Sequence, residues 1–298
     1  MKEIVLNENN IKINDYMNRF LQYIDVAENT TQTYAVGLKS FALYLKEHDI
    51  KNPTREDIIA YREYLKENHK PNTVNLYLAA VRNFYSWLEY EEITKDITKK
   101  VKGIKMAQRH LRRGLSEEEL SKVLKCCSTK RETLMIQLMV TCGLRCNEVV
   151  NIELNDFYND KGVVMLRVLG KARDGQKQDS VKVDDRIFEF MKEYIKENNI
   201  EDYLFVSTSN HNKNGKLSTA TIRRIVKGLF ERAELDMEML VAHSTRHTTC
   251  ELALDRGMEL KAVSEFMRHK SLQTTLVYSK ESDARKSTIA NQLADIIF

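Results

Sequence analysis

Two prolines, Pro53 and Pro71, and 10 glycines are the strong helix breakers in this chain of 298 residues. Breakers that scarce let long segments stay helical, and they exclude collagen-like and proline-rich linker architectures. The length is generous for one domain and comfortable for two, since domains usually hold about 100–200 residues. With 42% hydrophobic and 30% charged residues the chain is neither disordered nor membrane-embedded in character. Its longest apolar stretches, such as 134–140, fall far short of a membrane span, and MKEIVLNENN lacks the apolar core of a signal peptide. The expected location is therefore the cytoplasm. Five cysteines (Cys126, Cys127, Cys142, Cys146 and Cys250) do not make a disulfide framework, and the Cys142/Cys146 spacing is not that of a zinc module.

Apolar periodicity divides the chain. Tyr16, Phe20 and Ile24 recur every fourth residue, and after a candidate cap at Asn29-Thr30 an apolar stripe runs through Tyr34, Leu38, Phe41 and Leu45. Pro53-Thr54 opens a third helix through Ile58, Tyr61 and Leu65. Pro71 opens a fourth, with Val74, Leu78, Val81, Tyr85 and Leu88 on one side. Four such helices can bury a core of their own. Residues 99–113 then carry seven basic side chains (Lys99, Lys100, Lys102, Lys105, Arg109, Arg112 and Arg113) and no acidic one. A net charge of +4 is too small to identify a nucleic-acid partner, but a basic run between two folded units suits a strap across phosphates as well as a solvated linker. Ser116 and Glu119 form a capping box where the next helix begins. Further on, 155–159, 162–169 and 178–183 read as short strands, followed by helical pattern to the end. The expected organisation is a helical module over 1–98, a basic linker over 99–114, and a larger domain over 115–298. The fold class is mainly α with a small antiparallel β-sheet.

Individually, the polar motifs are modest. Arg145 begins a helix with Glu148 one turn on, which alone is an ordinary ion pair, and Lys171 falls in the turn between two strands. His243 and His247 share a helix face as two metal ligands would. No glutamate lies between them to act as a base, and Arg246 would repel a cation, so a pocket for an anion fits better. Tyr278 follows His269 by nine residues near the end of the chain.

The order Arg, Lys, His-x-x-Arg, His, Tyr across one domain is far more specific than its parts. GLRCNEV, LGKAR, HSTRHT, HKSLQTTLVY and the earlier NTTQTYAVGLKSFALYL resemble the tyrosine recombinases of the phage-integrase superfamily, above all the compact Xer-like members, over about 14 to 280. The resemblance implies an N-terminal SAM-like core-binding bundle and a C-terminal catalytic domain. It implies that Arg145 and Arg246 bind the phosphate, Lys171 serves from the strand-turn-strand, and His243 is the acid/base group. His269 becomes a second phosphate donor, Tyr278 the nucleophile, and Glu148 the support of the first arginine. The sequence departs from the family pattern at Met267-Arg268-His269, where Leu-Gly-His is usual. Thr245 replaces the commoner Leu, and Ala242 the commoner Pro. A charged side chain at 268 puts the local backbone in question, because glycine serves conformations that other residues resist.

Such a set makes chemical sense without metal or ATP. Ionising a phenol at pH 7 costs roughly 4 kcal/mol unless a base or cation helps. Fixed Arg and His groups replace the two metal ions of many nucleases, and a lysine can protonate the leaving 5′ oxygen. One phosphodiester is exchanged for a 3′-phosphotyrosyl bond, then for another phosphodiester, so a Holliday junction can form with no cofactor. The expected partner is double-stranded DNA with a short inverted-repeat core site, held by a homotetramer across two sites, alone or with a sister recombinase, and no membrane. Candidate DNA contacts are Lys99, Lys100, Lys102, Lys105 and Arg109 on the strap, and Thr31, Gln32, Lys39, Asn72, Asn75 and Arg82 on the bundle. The helical apolar pattern of the tail, 287–298, suits packing on its own domain, whereas the resemblance implies docking on a neighbouring subunit. With the bundle starting within about fifteen residues, no separate arm-site domain is expected. A type IB topoisomerase would use the same chemistry, and a DNA-binding regulator would not require all six groups. The same residues serve chromosome-dimer resolution, plasmid resolution and mobile-element integration alike.

Overall fold

The computed structural model describes residues 10–105, 112–169, 179–208 and 214–286, with side chains from 13 to 279 within those ranges. The chain divides into two compact units, Met1–Arg109 and His110–Phe298.

The first unit is a helical bundle: α1 (Asn10–Tyr23), α2 (Glu28–Glu47), α3 (Arg55–Asn68) and α4 (Pro71–Tyr90). The proline and capping signals act as read. Pro71 occupies the first turn of α4, and Asp57 closes a capping box with Thr54 ahead of α3. The start of α2 differs from expectation. The backbone N–H groups of Thr30 and Thr31 both donate to Ala27 O, so Asn29 and Thr30 lie inside the first turn and Ala27 precedes it. The core is aromatic, with Phe20, Phe41, Tyr61 and Phe84 essentially inaccessible. Burying such rings contributes about 1.5–3 kcal/mol each by area alone.

The second unit opens with an irregular segment docked on the helix that carries Thr248 and Glu251. Gly114 passes so close to the backbone of Thr248 that a Cβ would lie 2.7 Å from its nitrogen. Gly114 N–H donates to Glu251 (2.8 Å) and Leu115 N–H to the Thr248 hydroxyl (2.7 Å). The capping box of Ser116 and Glu119 starts α5 (Glu117–Lys125), and α6 (Lys130–Thr141) and the short α7 (Cys146–Val149) follow.

The sheet is antiparallel in the order β1 (Phe157–Asp160), β2 (Val163–Val168), β3 (Asp179–Lys182). Its first strand begins later than the alternation suggested. Asp156 accepts from Glu153 N–H (2.8 Å), winding 154–156 into a 3-10 turn. Lys161 and Gly162 both have positive φ, the two-residue turn that matches the twist of a hairpin. The remaining helices are α8 (Asp185–Asn198), α9 (Thr219–Arg232), α10 (Ser244–Asp255), α11 (Leu260–Phe266) and α12 (Leu272–Lys286). A large core centred on Leu134, Leu138, Leu166, Ile222 and Phe230 holds most of the unit. A separate small cluster of Cys250, Leu254, Val263 and Met267 carries Tyr278 at its edge. None of the described helices is long and apolar enough to cross a membrane.

Candidate active site

Two helix stops and one helix start meet here. Helix α6 ends at Cys142, and Gly143 takes the left-handed conformation (φ +57°) that lets Leu144 N–H close back on Met139 O (3.1 Å). That closure turns the chain into Arg145, the N-cap of α7. Helix α11 ends in the same manner: Arg268 N–H reaches Glu265 O (2.9 Å) and His269 N–H reaches Ser264 O (3.1 Å), with Arg268 at φ +53°. An L side chain there costs about 1–2 kcal/mol, so position 268 has a glycine's backbone with an arginine in it. The helix start is that of α10, with His243 as N-cap and Arg246 and His247 in its first turn.

Arg246 staples the two stops together. Its residue is only 2% exposed, and its two Nη atoms donate to the carbonyls of Gly143 and Met267. Burial, then the neighbouring Arg145, brings its pKa down to about 9, which still leaves it charged at pH 7. Arg145 Nη1 donates to Glu148 Oε1 (2.6 Å) and Arg145 N–H to Oε2 (2.8 Å). Glu148 is nearly inaccessible, so the pair is no ordinary surface contact.

His243 and His269 are both held below the ordinary imidazole value. His243 keeps an exposed side, yet desolvation first, and Arg246 and Arg145 next, hold it down to about 4. Half-buried His269 is pushed down to about 4 by the same causes in the same order. Its Nδ1 is paired with the hydroxyl of the fully buried Thr275 (2.8 Å), which orients the ring from α12. The phenol of Tyr278 is hydrogen-bonded to His247 Nδ1, and the His247 ring meets that of His243 edge-on at 4.9 Å. Five of the six expected groups, Arg145, His243, Arg246, His269 and Tyr278, thus come together within one protomer. Lys171 lies outside the described residues, in the stretch between β2 and β3.

The depressed histidines carry a stability consequence. Between the ordinary value of 6.5 and about 4, the unfolded chain binds protons that the folded chain does not, so stability falls as pH drops through that window. Thermal unfolding between pH 6.5 and 5 is expected to show a falling Tm that the H243Q/H269Q pair flattens. An equal slope in that variant would contradict the assignment.

Beside the site a groove of about 720 Å³ is lined by Arg112, Arg145, Arg223, Lys227 and His243, with no carboxylate among its described lining residues. Arg223 and Lys227 were not singled out from the sequence. Their only signal was an i,i+4 basic pair on α9, which is common on solvated helices. His247 and Arg268 were also not assigned to the site, though the first lies in HSTRHT and the second marks a departure from the family pattern. Among the described residues no group of three His, Cys, Asp or Glu side chains could hold a metal ion.

The expected DNA contacts of the first unit divide. Asn75 is bonded in both directions to the backbone of Ile104 (2.8 and 3.0 Å), and Arg82 donates to Val101 O (2.5 Å). Both fasten the basic segment to α4. Lys99 pairs with Glu89 (2.5 Å), whereas Gln32, Lys39, Asn72, Lys100, Lys102 and Lys105 are exposed and Thr31 is half-buried. Arg109 lies outside the described residues.

The sequence pattern of the phage integrase family matches residues 113–285, and that of the N-terminal SAM-like domain of phage integrases matches 13–92. Tyrosine recombinase XerD of Oceanobacillus iheyensis is 29% identical over 279 residues, spanning 87% of this chain and 90% of its own. Tyrosine recombinase XerA of Pyrococcus horikoshii is 25% identical, spanning 89% of each. Among solved structures, XerH site-specific recombinase bound to a palindromic difH substrate has a TM-score of 0.73 at 24% identity, over 88% of this chain and 80% of that one. A lambda integrase dimer bound to a COC′ core site has a TM-score of 0.70 at 15% identity, over 88% and 96%. At such identities the structural likeness speaks for the fold. The catalytic-domain match takes in well over half of the chain and every residue of the site just built, and by it the chain belongs to the phage integrase family.

Proposed function

We infer that this chain is a site-specific DNA recombinase in which Tyr278 attacks the scissile phosphate. The observation that carries the reading is the delivery of the Tyr278 phenol, in cis, to the place where Arg145, Arg246, His243 and His269 converge. In the forward step the Tyr278 oxygen bonds to phosphorus and the bond from phosphorus to the 5′ oxygen breaks. The phenolic proton passes to an imidazole, His247 or His243, and the leaving 5′ oxygen takes a proton from Lys171. Arg145, Arg246 and His269 hold the nonbridging oxygens, where charge gathers. Attack by a 5′ hydroxyl of another strand reverses the sequence and rejoins DNA, without metal or ATP.

The partner in this reading is duplex DNA carrying a short inverted-repeat core site, bound in the cytoplasm by a homotetramer across two sites. Exposed Lys39, Asn72, Lys100, Lys102 and Lys105 supply phosphate and groove contacts, while Asn75 and Arg82 keep the basic segment in place. Relatives of this fold were solved on DNA, among them a lambda integrase tetramer on a Holliday junction. An apolar groove of about 700 Å³ in the second unit, lined by Leu120, Val140, Leu252, Met258, Val263 and Phe266, offers a seat for the 287–298 tail of a neighbouring subunit.

The test begins with a core site selected from a random-sequence duplex library by repeated binding. A version nicked just 3′ to the cleavage point lets the short 5′-hydroxyl fragment diffuse away and traps the enzyme. With EDTA present, a covalent adduct on the 3′ phosphate mapping to Tyr278 is expected. An adduct that needs magnesium, or that maps elsewhere, would overturn the reading. Lys171→Ala is expected to slow a normal 5′ oxygen leaving group by about 10²–10⁴ and a 5′-thio leaving group far less. Equal losses would remove Lys171 from the acid role.

A further inference from the structure

We propose that Arg268 is a positioning residue of the cleavage site, locking Glu148, and through it Arg145, into the geometry that receives the scissile phosphate. The inference rests on the reading of Tyr278 as the cleaving nucleophile. Arg268 sits at a turn whose left-handed backbone favours glycine, and its side chain is only 7% exposed. Its guanidinium folds back across the turn. Nη2 donates to Glu148 Oε2 (3.0 Å) and to Gly143 O (3.1 Å), and Nη1 donates to Phe266 O (3.0 Å) and Cys142 O (3.3 Å). Its Nε is buried without a partner, a cost that an apolar filler of the same space would avoid.

The Glu148 carboxylate is divided between two guanidiniums. One oxygen serves the Arg145 side chain, and the other serves Arg268 together with the Arg145 backbone. Arg145 Nη2 in turn points at Arg268 O (3.4 Å), so Arg145 is held from both ends. Gly143 O accepts from Arg246 as well as Arg268, which ties Arg268 and one of the two phosphate-binding arginines to a single carbonyl. The electrostatic consequence follows from counting. Glu148 against Arg145 alone is neutral, and the addition of Arg268 leaves the trio at +1, so Arg145 keeps a net positive field for an incoming phosphate. A planar fork reaches Glu148 and three carbonyls at once, whereas an ammonium would keep the charge beside Glu148 without all four contacts.

The test is single-turnover cleavage of the nicked core-site duplex, with Kd from gel shift and Tm from thermal unfolding. Arg268→Met is expected to cleave about tenfold slower than wild type with Kd within twofold, and Arg268→Lys to recover more than half of the logarithmic loss. In a Glu148→Gln background, Arg268→Met is expected to add less than a twofold loss, because its route through Glu148 is already gone. Should Arg268→Met fold poorly, Arg268→Gly, which suits the left-handed backbone, takes its place in each comparison. Cleavage at the wild-type rate, a full tenfold loss on top of Glu148→Gln, or losses of rate and affinity that track a falling Tm would each overturn the proposal. Failure of the wild-type enzyme to form an adduct would instead overturn the reading of Tyr278.

Discussion

Tyr278→Phe is expected to bind the core-site duplex with wild-type affinity and to form no covalent adduct above background. The ring of Tyr278 packs at the edge of the cluster of Cys250, Leu254, Val263 and Met267, and phenylalanine keeps that packing. What disappears is the oxygen that bonds to His247 and that would bond to phosphorus. The phosphate contacts proposed for Arg145, Arg246 and His269 stay, and phosphate contacts dominate affinity for DNA. Gel shift should therefore be unchanged while trapping on the nicked duplex vanishes. A normal yield of adduct from the phenylalanine variant would mean that another side chain is the nucleophile. A large loss of binding would mean that the phenol holds DNA rather than cutting it.

Arg246→Ala should damage both chemistry and fold, and the two effects are separable. Removing a preorganised donor from developing charge typically lowers a rate by about 10²–10³. The same substitution strips the donor from the Met267 carbonyl, whereas Gly143 O retains Arg268. One buried acceptor left unpaired costs about 1–3 kcal/mol, or roughly 2–12 °C in Tm for a unit of this size. Arg246→Lys keeps the charge but not the fork, so it should recover part of the Tm and little of the rate. The measurement is single-turnover cleavage beside thermal unfolding of the same preparations. Wild-type cleavage by Arg246→Ala would remove Arg246 from the phosphate site, and an unchanged Tm would contradict its role as a staple between the two helix stops.

Local signals in the sequence proved readable where the physics is local. Pro71, the Thr54 and Ser116 caps, and the pairing of Arg145 with Glu148 involve partners within three residues, so spacing alone exposes them. The start of α2 misled because Asn29 and Thr30 are good caps by type, while the carbonyl of Ala27 gathers the first helical bonds instead. Asn75 and Arg82 look like free polar residues on a helix until the chain returns at Val101 and Ile104 to occupy them.

The amino-acid order therefore determined the helices, the helical module with its basic segment, and the inventory of cations and the phenol from which the family is recognisable. Only the tertiary structure decided which of these meet. His247 reaches Tyr278 across 31 residues, Arg246 reaches Gly143 across 103, and Arg268 reaches Glu148 across 120. Periodicity reports which face of a helix is apolar; it does not report where two helix stops will be stapled side by side. That depends on packing summed over the whole core, and the turn that ends α11 brings Arg268 to Glu148 only where the helices that carry them are packed together.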